Sequence, residues 1–213
     1  MLRSEIIAQA RNLLNETATG FWSDDDIYLN AWEGEKSLIF QLPDEFIKGL
    51  LKTETALVVA TTPDFMDCIV YTLPTDFLKI KRVRRMGITR RVHRYVEYDN
   101  LDIYEDQSKM TYFQPGVGSS GTYIYSWHPL GLLVSPSPSL EGIELEYYKL
   151  PDKWDAGNLT TAPLIDLATH DILVDHIVYK CLMDDGEFSS ADRFEKRIKE
   201  RIVFFNDLKV GKK

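Results

Sequence analysis

Four histidines and two cysteines are the side chains in this 213-residue chain best suited to holding a metal or attacking a substrate. His170-Asp171 and Asp175-His176 fall in one predicted helix, yet the two histidines stand six positions apart. At 3.6 residues per turn, that spacing turns them about 120° away from a shared face. A helical metal pair needs i, i+3 or i+4 spacing, as in H-E-x-x-H. A surface or helix-packing histidine is the better reading. Cys181 follows His176 by five positions. Sequence proximity alone does not supply the base within hydrogen-bond reach that a nucleophilic thiol requires, so the expectation is a buried apolar cysteine. Gly116-Val117-Gly118-Ser119-Ser120-Gly121 looks superficially like a phosphate loop, but Thr122 stands where the loop's lysine must be. It reads as a flexible hairpin loop. Asp24, Asp25 and Asp26 lack the D-x-D-x-D-G spacing of a calcium loop, and their place in a first helical turn already explains them. The expectation is no catalytic residue, no metal and no cofactor, hence no enzyme.

One cluster resists so plain an account. Lys79, Lys81, Arg82, Arg84, Arg85, Arg90, Arg91 and Arg94 concentrate in two predicted adjoining strands and their turn, within a chain of net charge −8. Glu97, Asp99, Asp102, Glu105 and Asp106 follow directly. Three readings are open. The first is a solvated hairpin with cross-strand ion pairs, each worth at most roughly 1 kcal/mol. In the second, a basic face meets the acidic face of a neighbouring subunit and fixes head-to-tail order. The third is contact with DNA phosphates; no aromatic interleaving there supports single-strand stacking. Separately, Tyr123, Tyr125, Trp127 and His128 could form an aromatic platform for a carbohydrate or receptor, although aromatics on alternating strand positions more often pack a core.

The elements that must position these residues follow from periodicity. Ile6, Ala10, Leu13 and Leu14 mark a first helix. In Phe21-Trp22-Ser23-Asp24-Asp25-Asp26-Ile27, Ser23 is placed to cap a second helix, with Asp26 returning a bond and Trp22 and Ile27 spaced as a hydrophobic staple. That helix runs to Pro43, and Asp44 to Leu51 reads as a further helical piece. From about residue 55 to 150 the period becomes extended: seven short strands, separated by Pro- and Gly-containing turns. Ile143-Glu144-Leu145-Glu146-Tyr147 alternates strictly, which predicts one face on the core and one in water. Thr161-Ala162-Pro163 resembles a helix start, with Leu164, Leu167, Ala168, Ile172 and Ile177 as its apolar stripe. Ser189 and Asp192 read as the cap of a last helix that carries Phe194, Ile198, Ile202 and Phe205 and ends near Leu208. The fold class is therefore α+β: residues 1–54 and 151–208 form one helical bundle, residues 55–150 a β-rich insertion of antiparallel character, and 209–213 a basic, mobile tail.

Composition bounds the setting. The acidic charge argues against a surface that binds nucleic acid throughout. Two distant cysteines suit a reducing compartment. The amphipathic opening MLRSEIIAQARNLL lacks the apolar core of a secretory signal, and no run approaches the roughly 20 apolar residues of a membrane span.

The chain resembles the head-to-tail adaptor, or connector, proteins of tailed phages. The resemblance is carried by Ala10-Arg11-Asn12-Leu13-Leu14-Asn15-Glu16, then Phe21 to Ile27, then Leu29-Asn30-Ala31-Trp32-Glu33-Gly34-Glu35. Further on come Leu73-Pro74-Thr75-Asp76-Phe77, Leu133-Val134-Ser135-Pro136-Ser137-Pro138 and Ile143 to Pro151. Their weight lies in their succession along most of the chain. The resemblance implies a structural virion protein made in the host cytoplasm and assembled as a homo-oligomeric ring, usually of twelve copies. Such a ring sits under the portal protein at the head–tail interface, extends the channel for viral double-stranded DNA and docks a tail or nozzle protein. It also implies that the C-terminal segment, with Phe205, Leu208, Lys209, Val210, Lys212 and Lys213, reaches the portal. A β-rich recognition module of a virion is the alternative.

Overall fold

The computed structural model describes residues 1–15, 21–61, 69–86, 94–95, 124–128, 131–135 and 142–210. The chain divides into two compact units, one formed by Met1–Leu51 with Leu150–Lys213 and the other by Lys52–Lys149. The class is α+β, with helices toward both ends of the chain and sheets between.

Four helices are described in the first unit: α1 (Arg3–Leu13), α2 (Asp24–Gln41), α3 (His170–Asp184) and α4 (Phe188–Val210). Helix α3 is the hub, touching the other three. It is accordingly buried on nearly all sides, and its polar residues Asp175 and His176 go inside with Leu173, Ile177 and Val178. Ser23 caps α2 as its sequence predicts, accepting the Asp26 N–H at 3.2 Å. The return bond differs in detail: the Ser23 hydroxyl itself donates to the Asp26 carboxylate at 2.5 Å.

Helix boundaries elsewhere depart from the periodic reading. The helical piece expected from Asp44 to Leu51 is two short 3₁₀ helices, Asp44–Phe46 and Lys48–Leu50, after which Leu51–Glu54 enters a strand. Residues 161–166 form no helix either. The Leu164 N–H is held by the Glu35 carboxylate at 3.1 Å and the Asp166 N–H by the Phe46 carbonyl at 2.7 Å. Those donors are committed to tertiary partners, so the helical stretch starts only where Asp166 caps the 3₁₀ turn Leu167–Thr169 that leads into α3. Leu167 is then 65% exposed and belongs to no apolar stripe. Helix α4 begins at Phe188, with the Glu187 carbonyl accepting from Ser190 and Ala191, so Ser189 lies inside the first turn instead of capping it. At its other end α4 runs to Val210, past the stop expected near Leu208.

The second unit holds two described sheets. One has the order β1–β8–β4, from β1 (Leu51–Glu54), β4 (Phe77–Arg85) and β8 (Ile143–Lys149). The other has the order β2–β3–β7–β6–β5, from β2 (Val59–Thr61), β3 (Ile69–Tyr71), β5 (Arg94–Tyr95), β6 (Ile124–His128) and β7 (Gly131–Ser135). The β4/β8, β2/β3, β3/β7 and β6/β7 pairs are antiparallel and β5/β6 is parallel. Both sheets feed one core, Tyr71, Leu132 and Val134 from one side and Val83, Leu145 and Tyr147 from the other. Gly131, with φ of +144°, opens β7 where a Cβ would strike the Tyr71 carbonyl oxygen.

The β4/β8 register explains an otherwise puzzling pattern. Phe77, Ile80 and Val83 are three apart, yet all pack on the core and pair with Lys149, Tyr147 and Leu145, which are two apart. Two irregularities in β4, between Phe77 and Lys79 and between Ile80 and Arg82, absorb the extra residues. A three-residue repeat thereby works as a two-residue one.

Candidate interaction surfaces

The basic cluster does not occupy one hairpin. Lys79, Lys81, Arg82, Arg84 and Arg85 lie on β4, whereas Arg94 lies on β5 in the other sheet. The adjoining-strand expectation is therefore corrected: β4 pairs with β8, which is distant in sequence. Arg90, Arg91 and the acidic run from Glu97 to Asp106 lie outside the described residues.

On β4, Arg82 and Arg84 already have partners. Arg82 opposes Glu146 and donates to one of its carboxylate oxygens through Nε at 3.1 Å and through Nη2 at 2.7 Å. Arg84 engages the other oxygen of Glu146 and lies 3.4 Å from Glu144. The predicted water-facing side of β8 is thus covered: Glu146 is 9% exposed under two guanidinium groups. Lys79 and Lys81 bring their ammonium groups to 5.9 and 5.6 Å from the ring of Tyr148, which is itself buried. Close by in sequence, Lys52 and the Tyr147 hydroxyl both donate to Asp76, at 2.6 and 2.8 Å. Partial burial alone would raise that carboxyl's pKa, but these two donors and the lysine charge bring it below the ordinary value.

The aromatic-platform residues are only partly described. Tyr125 is half-buried in β6 with its ring 5.5 Å from that of Tyr95, Trp127 and His128 sit further along β6, and Tyr123 lies outside the described residues.

In the helical unit the titratable side chains serve packing. Glu35 on α2 is fully buried, accepting from Trp154 Nε1 at 2.9 Å and from the Leu164 backbone, with Arg3 at 3.9 Å. Burial raises its pKa against the pull of those partners. Arg3 also stacks over Trp154 at 5.0 Å and donates to the Asp152 carbonyl, pinning the segment after residue 150 onto α1 and α2. Asp175 on α3 receives Arg197 and Arg201 of α4, each at 3.2 Å. His170 is buried and bonded to the Ile165 carbonyl at 3.2 Å. His176 is buried against Gly34, and desolvation, helped by Lys180, lowers its pKa to about 4. Cys181 is fully buried and takes the Asn30 amide at 3.5 Å. Cys68 and the glycine loop from Gly116 lie outside the described residues. No group of three or more His, Cys, Asp or Glu is arranged to hold a metal among the described residues.

The C-terminal residues divide. Phe205 is seated against Phe46 at 4.7 Å, and Asn206 donates to the Gln41 carbonyl at 3.3 Å. Val203, Phe204 and Leu208 are exposed. Lys209 and Val210 continue α4, and the rest of the expected mobile tail, including Lys212 and Lys213, lies outside the described residues. At the opposite end of α4 is a groove of about 630 Å³, which Leu14, Phe21, Leu182 and Phe194 line together with Arg193 and Arg197. Sequence reading missed this groove, because it joins α1, the turn before α2 and the α3–α4 turn.

Ion pairs join the helices, and Arg82 and Arg84 pair with carboxylates of β8. The chain belongs to the family of the SU10 adaptor protein, whose sequence profile matches residues 1–206. It is thus a phage adaptor of a structural family that acts at the head–tail interface, between portal and tail. No curated protein matches the chain. No helix among the described residues is long and apolar enough to cross a membrane.

Proposed function

We propose that the chain is one subunit of a homo-oligomeric ring, of about twelve copies by analogy with head-to-tail adaptors, assembled in the host cytoplasm. It attaches beneath the portal, extends the channel for double-stranded DNA and offers the tail or nozzle protein a docking surface. The family match over residues 1–206 carries this reading.

Leu208, Lys209, Val210, Lys212 and Lys213 reach the portal, while Phe205, held by Phe46, anchors the helix from which they extend. The basic strand serves order between subunits more than DNA binding. Arg82 and Arg84 already have carboxylates, and phosphate binding draws on cations that can release phosphate counterions. Lys79, Lys81, Arg82, Arg84, Arg85, Arg90, Arg91 and Arg94 are the side chains through which a neighbour is met.

Native mass measurement with the portal protein present tests the whole. A many-copy ring bound to portal supports it, and a monomer that ignores portal refutes it. Truncation after Asp207 is expected to abolish portal attachment while far-ultraviolet circular dichroism loses little helix; unchanged attachment would remove the tail-docking role.

A further inference from the structure

The chain passes between its two units twice, into the β-rich unit along β1 and back along β8, which are neighbours in one sheet. The two crossings are held very differently. β8 is buried over most of its length and pairs with β4 from Ile143 to Lys149. Just beyond it, the Pro151 carbonyl accepts the Trp32 indole N–H at 2.9 Å, and the Asp152 carbonyl accepts Arg3 at 3.3 Å. β1 has no such seat. It is an edge strand of four residues, Leu51 to Glu54, none of which is buried.

One carboxylate ties this edge across the sheet. Asp76, in the turn before β4, accepts the Lys52 ammonium on Oδ2 at 2.6 Å and the Tyr147 hydroxyl on Oδ1 at 2.8 Å. Residues from β1, from β8 and from the approach to β4 therefore meet on Asp76. Tyr147 is buried in the core and holds the carboxylate from one side, whereas Lys52 is exposed. Glu54 supplies no second tie, because its carboxylate turns back to the N–H groups of Thr55 and Ala56, at 3.0 and 2.9 Å. A segment with few buried contacts opens locally at a fraction of the free energy of global unfolding. An ion pair open to water is a weak fastening.

We infer that β1 is a releasable strap, clasped to its sheet by Asp76 through Lys52. When the clasp opens, residues 51–57 become an unpaired link and β8 remains as the ordered crossing. The link ends at Val58, whose carbonyl accepts the Thr72 N–H at 2.8 Å and so belongs to the other sheet. One crossing is fixed and the other adjustable, which gives the single chain an open and a closed form while both cores stay packed.

Amide hydrogen exchange of the full-length chain, read peptide by peptide in a mass spectrometer, tests both strap and clasp. In the wild type the amides of Leu51–Glu54, relative to their intrinsic rates, are expected to exchange on the order of tenfold or more faster than those of Ile143–Lys149. Lys52→Met keeps the aliphatic stem and removes the charge, and exchange over residues 51–57 should rise about two- to fivefold with β4 and β8 unchanged. Asp76→Asn, which keeps an acceptor for Tyr147, should do the same. Added salt should speed β1 exchange in the wild type and leave Lys52→Met as it was, since screening acts on the pair that the variant lacks. β1 exchanging as slowly as β8 would overturn the strap. Identical β1 exchange in wild type and Lys52→Met would overturn the clasp. A rise in β4 and β8 equal to that in β1 would make the pair a support of the whole sheet and overturn a separate strap.

Discussion

Gly34 and His176 meet so closely that a Cβ on the glycine would stand 2.8 Å from the ring Nδ1, with Leu173 Cδ1 at 2.9 Å. The α2–α3 crossing is set by this absence of a side chain. Gly34→Ala adds helix propensity of about 1 kcal/mol but overpacks the crossing at a cost of about 1–3 kcal/mol. The expected sum is a modest loss for alanine and a larger one for Gly34→Leu, measured by urea unfolding.

His176 also makes the bundle sensitive to acid. Its folded pKa of about 4 lies below the ordinary value of 6.5. The unfolded chain therefore binds the proton more readily, and this contribution to stability, fully present above pH 6.5, is lost as pH falls toward 4. Glu35 and Asp175 work the other way, since burial raises their pKa and favours the folded state as they protonate. The clean measurement is the difference between wild type and His176→Gln across this range. Stability of the wild type should fall relative to the variant by up to about 3 kcal/mol. Parallel curves would contradict the assignment.

Glu35 holds three groups at once: the Trp154 indole, the Leu164 backbone and the Arg3 guanidinium. Glu35→Ala leaves a buried arginine without its counter-charge and two donors without an acceptor, an expected loss of about 3–5 kcal/mol. Glu35→Gln keeps an acceptor and should lose less. Urea midpoints followed by tryptophan fluorescence check the order of the two.

Glu144 and Glu146 neutralise Arg82 and Arg84 of β4. Replacing both by glutamine should release Arg82 and Arg84 and raise retention on immobilised double-stranded DNA at low salt, with an effect that vanishes as salt rises. Equal retention of wild type and variant would mean that the pairing does not mask a DNA-binding face.

Local chemistry made much of this protein legible in its amino acids. Ser23 and Asp26 are three apart, the reach of a cap, and the strands from β2 to β8 are marked by β-branched and aromatic runs between turn residues. Those features depend on neighbours a few positions away. The succession of motifs from Ala10 to Pro151 likewise carries the resemblance to phage adaptors. Only the tertiary structure decided that Thr161 to Asp166 is not a helix, since Glu35 and Phe46, more than a hundred positions earlier, take its N–H groups. Tertiary pairing also turned Glu146 from a water-facing strand residue into a covered one beneath Arg82 and Arg84. Backbone donors and buried charges are satisfied by whichever partner the fold brings near. That partner is set by register and helix crossing, which no local spacing records.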